Sequence, residues 1–221
     1  MPVVICDVIE FLAPFSNGLG SNAKEAFRFD LTGGKPGGKV LYTSVPLGIP
    51  RGQASLRLCL EDKDLLHKTR FTPDPGFMDL VTLFIALLKR EDPGAEDFAY
   101  QDPEGWVKIF VGQSVPTALV DHEPTNITGP EGAALMTQFG RHYAACRHFY
   151  GRMGYLGYGS DGLQRGDRVV VLPNCKVPLI LRKVGECYKF VSTCFVLGLM
   201  DGEAGRMVDR GETLLQELHV R

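Results

Sequence analysis

The six cysteines of this 221-residue chain include no C-x-x-C pair, so the ligand spacing of a zinc finger or ribbon is lacking. Scattered as Cys6, Cys59, Cys146, Cys175, Cys187 and Cys194 behind no export signal, they read as reduced core thiols, and no metal is expected. Long apolar runs are lacking too: the longest, residues 80–88 and 191–200, fall well short of the roughly 20 residues a membrane helix needs. The apolar start, residues 1–15, carries Asp7 and Glu10, has no basic residue ahead of it and closes on Pro14, which is not the pattern of a secretory signal. Nor is there an excess of charge. Twenty-four basic residues against 26 acidic ones leave a net charge of −2 with no basic block, which argues against nucleic acid as a partner. A soluble, cytoplasmic protein with neither nucleic-acid nor membrane partners is expected.

What is present suffices for one substantial core. Hydrophobic residues make up 44% of the chain and charged ones 23%, so residues 1–221 read as a single globular domain. Strand patterns cover residues 3–15, 23–31 (Phe27, Phe29 and Leu31 on one face), 40–45 and 106–111. Residues 54–60 read as a further strand, with Leu56, Leu58 and Leu60 alternating against Arg57 and Cys59. The glycine-rich stretch 32–38 predicts a loop. Helical periodicity marks 76–90, and a second helix, capped by Thr128, is predicted over 130–150. Past Gly151 the pattern turns to hairpins, with strands at 168–172, 177–183 and 187–200. The fold class is α+β: a small twisted β-barrel or sheet with two packed helices.

Within residues 146–203 lies an ordered set of short motifs: Arg147 and Phe149; Gly154, Tyr155, Leu156, Gly157 and Gly159; Gly166, Asp167 and Val169; Val177, Pro178, Leu181 and Arg182; and Gly198, Met200, Asp201, Gly202 and Glu203. In order and spacing the set resembles the C-terminal module of fungal heterokaryon incompatibility (HET) proteins. The tryptophan-rich motifs of that family's N-terminal HET domain are not found, Trp106 being the sole tryptophan, so its death-signalling role is not carried over. The final strand also departs from the family, whose Glu, Tyr and His on one face are replaced by Thr193, Phe195 and Leu197.

Few residues suggest chemistry. Residues 157–162 satisfy G-x-G-x-x-G, yet the motif neither follows a strand nor opens a helix as a dinucleotide site requires. Asp201 and Glu203 form an i, i+2 carboxylate pair for which a structural role is expected, and Arg182 is its expected partner or else a substrate anchor. His142 and His148, six apart, fall on different faces of the predicted helix and read as packed or surface histidines. Tyr155, Tyr158 and Trp106 could line a small-molecule pocket together with Thr193, Phe195 and Leu197. With no triad, metal or nucleotide motif, the catalytic residues are not identified.

Two functions remain open. One is a cofactor-independent cyclase or pericyclase of the Diels-Alderase kind, holding an apolar natural-product substrate in a dry pocket, where orientation and one or two hydrogen-bond donors supply the rate. The other is a non-catalytic HET-related interaction or regulatory protein.

Overall fold

The computed structural model describes residues 1–13, 29–30, 43–44, 48–62, 110, 133, 137, 142 and 146–221. Strand β1, Pro2–Leu12, organises it. Val3 and Val4 are both buried, one on each face, which is why the strand reads as a nearly continuous apolar run. Two further short strands, β2 (Thr43–Ser44) and β3 (Ile49–Pro50), pair with each other and lead into helix α1, Arg51–Cys59. The rest of the sheet comprises β4 (Arg147–Gly151), β5 (Leu156–Gly159), β6 (Arg168–Val171), β7 (Leu179–Val184), β8 (Cys187–Thr193) and β9 (Phe195–Val196). Helix α2, Glu203–Asp209, and strand β10, Leu215–Glu217, follow.

The strand order is β8-β7-β6-β1-β4-β5-β9, antiparallel throughout, with β10 also on β1. Its two ends, β8 and β9, adjoin in sequence at Cys194 without forming a ladder, so the sheet is not closed into a barrel. Val220, beyond β10, bridges back to Tyr188 of β8.

One face of this sheet (Val4, Cys6, Val169, Val171, Ile180) packs with Ala204 of α2, and the other (Val3, Val170, Leu181, Tyr188) with Leu218 of the tail. A register shift between Ile5 and Asp7 bends β1 where Asp7 turns inward. The Asp7 carboxylate accepts N–H groups from Val8 at 2.7 Å and Met153 at 2.9 Å, tying β1 to the β4–β5 turn. Burial pushes its pKa up, against those hydrogen bonds.

Several local expectations are corrected. Residues 54–60, read as a strand, belong to helix α1 and its C-cap Leu60. Ala54, Leu56 and Leu58 are all inaccessible to solvent, so alternation along this segment separates no inside from outside. Phe29, Asp30 and Phe110 are helical as well, each inside a stretch read as strand. The helix predicted over 130–150 gives way to β4 at Arg147. The motif at 157–162 starts in strand β5, and no helix opens after it. The predicted helix 76–90, the loop 32–38 and Trp106 lie outside the described residues.

Candidate functional site

Arg51, Ser55 and Cys59 recur every four residues and so lie along one face of α1. His148 and Tyr150 recur every two residues and share one face of β4. These two rows meet around Asp30. The Asp30 carboxylate accepts the Ser55 hydroxyl proton at 2.6 Å and lies 3.1 Å from His148 Nδ1 through each oxygen, while Tyr150 donates to the Asp30 carbonyl at 3.0 Å. Arg51 stands over the Tyr150 ring, 4.7 Å from its centroid.

The opposite edge of His148 faces His142, with the two Nε2 atoms 2.7 Å apart. Together with the Cys59 sulfur, one nitrogen of each imidazole lies within 4.8 Å of the others. All of these side chains are buried, Asp30 at 0% exposure and His148 at 1%.

A carboxylate only accepts, so the His148–Asp30 contact is donated from His148 Nδ1–H. Across the Nε2–Nε2 contact one imidazole donates its N–H and the other accepts it. Burial first, and then the neighbouring His148, hold the His142 pKa well below the usual imidazole range, so this ring is neutral.

Beyond the imidazoles the site becomes aromatic. Across the strands His148 opposes Tyr158, and Tyr158 opposes Phe195. His142 meets the Tyr158 ring edge-on at 4.3 Å, and Tyr158 stacks on Phe195 at 5.5 Å with 10° between the planes. The Tyr158 hydroxyl donates to Glu61 at 3.0 Å. Burial and the Glu61 carboxylate raise its pKa, which keeps the phenol protonated. Phe195 and Leu197 join Ala54, Leu58, Tyr150 and Leu156 in one apolar cluster.

Of the residues expected to line a pocket, Tyr158, Phe195 and Leu197 are thus brought together. Thr193 is exposed and stands apart, because the chain changes partner at Cys194, from β7 to β5, and side-chain alternation is not carried across. Tyr155 belongs to the other core cluster, where its hydroxyl meets Met207 Sδ at 3.8 Å.

Arg182 does not pair with Asp201 or Glu203. Its guanidinium donates Nε–H and Nη2–H to the two carboxylate oxygens of Asp167, both at 2.8 Å, and Nη2 also reaches the Gly162 carbonyl at 2.7 Å. The antiparallel β6–β7 pairing, with Arg168 opposite Leu181, puts the two partners side by side at the end of the ladder. The Asp201–Glu203 pair is local: Glu203 accepts the Asp201 N–H at 2.7 Å and bridges to Arg206 at 3.3 Å as α2 begins.

The convergence of Cys59, His142, His148 and Asp30 was not visible as a motif, since the ligands come from separate segments. The only sequence signal was weak: the Arg51, Ser55, Cys59 row, legible once α1 is known to be a helix.

Residues 131–215 match the Het-6 beta-barrel domain. Over 158 residues the chain is 25% identical to heterokaryon incompatibility protein 6, OR allele, of Neurospora crassa. That match covers 69% of this chain but spans only 21% of the relative's length. No solved structure matches. The motifs that first suggested the family keep the sheet together: Asp167 pairs with Arg182, Phe149 packs in the core, and Gly154, Gly166, Gly198 and Gly202 take positive φ at turns. Family model and motifs agree over the same residues, and the chain carries a HET-related C-terminal module.

Proposed function

We propose that this module is an enzyme acting on an apolar small molecule, with the polar chemistry supplied by the centre between α1 and β4. One observation carries the reading: the buried Asp30–His148–His142 relay adjoins, through Tyr158, the apolar cluster of Phe195 and Leu197. Stability alone does not call for such a relay, because well-packed hydrophobes in place of buried ionic groups are often neutral or stabilising. Buried, charge-coupled titratable groups of this kind are enriched at functional sites.

The relay offers the neutral imidazole of His142 beside the carboxylate-backed imidazole of His148. Such a pair polarises a carbonyl or passes a proton between neighbouring carbons. The matching chemistry is cyclisation or isomerisation of an apolar fungal natural-product intermediate, a Diels-Alderase-like pericyclisation being the form that asks least of the protein beyond orientation.

Leu197→His tests it, since the substitution puts an imidazole into the proposed substrate surface at a cost of roughly 1–3 kcal/mol. Binding of the apolar probe 8-anilino-1-naphthalenesulfonate to the folded protein is expected to weaken about tenfold, equivalent to ~1.4 kcal/mol, with the fold retained. A variant that melts early yet binds the probe as wild type does would count against the pocket.

A further inference from the structure

The geometry points to a divalent transition-metal site formed by Cys59 Sγ, His142 Nε2 and His148 Nε2, with zinc as its natural occupant. Three separate segments deliver these residues to one buried point, where one ligand atom of each lies within 4.8 Å of the others and the two Nε2 atoms are 2.7 Å apart. One thiolate and two imidazoles form a borderline-soft donor set suited to tetrahedral zinc, and three protein ligands leave a fourth position for water or substrate, as in catalytic zinc sites.

Two features go beyond proximity. Asp30 holds His148 at Nδ1, which leaves Nε2 as the nitrogen facing the ion, the carboxylate–histidine–metal arrangement that fixes ring orientation and raises ligand basicity. Ser55 in turn holds the carboxylate at 2.6 Å, so the outer shell is built before any ion arrives.

Loading draws the ligands around the ion: the widest pair, within 4.8 Å, must close to the ~3.5 Å set by Zn–S and Zn–N bonds of about 2.3 and 2.0 Å. The two Nε2 atoms, 2.7 Å apart in a hydrogen bond, must separate to the ~3.3 Å that tetrahedral Zn–N bonds of about 2.0 Å impose. The proton between the two Nε2 atoms is displaced to His142 Nδ1 or to solvent, and the Cys59 thiol proton leaves to solvent as the Zn–S bond forms. Bound there, the metal would act as a Lewis acid at the place where the imidazole N–H is proposed to polarise a carbonyl. The inference rests on the same centre as the proposed function but not on its substrate.

Metal analysis of the full chain purified without chelator, together with cobalt reconstitution, provides the test. About one zinc per chain is expected, as is a thiolate-to-cobalt charge-transfer band with Co²⁺. Cys59→Ser should abolish the band and lower zinc affinity at least tenfold, whereas Cys175→Ser, remote in sequence and ligating nothing here, should leave both unchanged. Should Cys59→Ser not fold, the wild-type band decides alone. No band with Co²⁺ and no zinc uptake, or equal loading in Cys59→Ser and His142→Gln, would overturn the site. Intact probe binding that remains sensitive to Leu197→His beside a missing metal would discard the metal and keep the proposed function.

Discussion

Gly157→Ala is expected to cost about 3 kcal/mol, the upper part of the range for overpacking a tight core. A Cβ at this position would stand 2.5 Å from Phe149 Cζ and 2.7 Å from the Phe195 carbonyl oxygen. Phe149 is inaccessible to solvent, and the Phe195 carbonyl belongs to the β5–β9 ladder, so neither neighbour can withdraw without breaking packing or pairing. For a chain of this size the melting temperature should fall by roughly 6–12 °C. Gly205→Ala, in α2 with open space around its Cβ, is the matched control and should be neutral or stabilising by up to about 1 kcal/mol. Equal melting temperatures for the two variants would show that the β4–β5–β9 contact is looser than described here.

Arg182→Met is expected to destabilise by about 2–3 kcal/mol, because it leaves the Asp167 carboxylate, 2% exposed, without its bidentate cation. Only the Gln164 N–H, at 2.8 Å, would remain on that carboxylate among the hydrogen bonds of the described residues. The Arg182 side chain is 29% exposed, which places the cost below that of a fully buried pair. Lysine should not rescue it, since an ammonium cannot reproduce the two parallel N–H donors. Asp201→Ala, at an exposed turn, should fall within about 0.5 kcal/mol of wild type. Thermal or urea unfolding of the three variants measures the difference, and an Arg182→Met protein as stable as wild type would make the guanidinium available for ligand binding instead.

These pairs show what could be read in the sequence. Short-range turn chemistry was legible: Gly166 precedes β6, Asn174 lies between β6 and β7 and Gly185 between β7 and β8, all with positive φ near the expected places. The G-D and L-R motifs were recognised, but that they pair with each other follows from hairpin register, which motif spacing does not reveal. Residues 51–59 misled because Leu56, Leu58 and Leu60 alternate by chance inside a helix buried on nearly every side; Pro50, at the helix entrance, was the overlooked start signal. His142 and His148 seemed to diverge on one helix. The chain becomes a strand between them, which turns the two rings toward each other, and no periodicity argument crosses such a change of element.

The Asp30–His148–His142–Cys59 centre is tested most directly by diffraction at the zinc absorption edge from crystals grown with zinc. An anomalous peak about 2.0–2.3 Å from His142 Nε2, His148 Nε2 and Cys59 Sγ is expected, with Asp30 still on His148 Nδ1. Imidazoles that remain at hydrogen-bond distance, with zinc elsewhere or Asp30 turned away from His148, would contradict it.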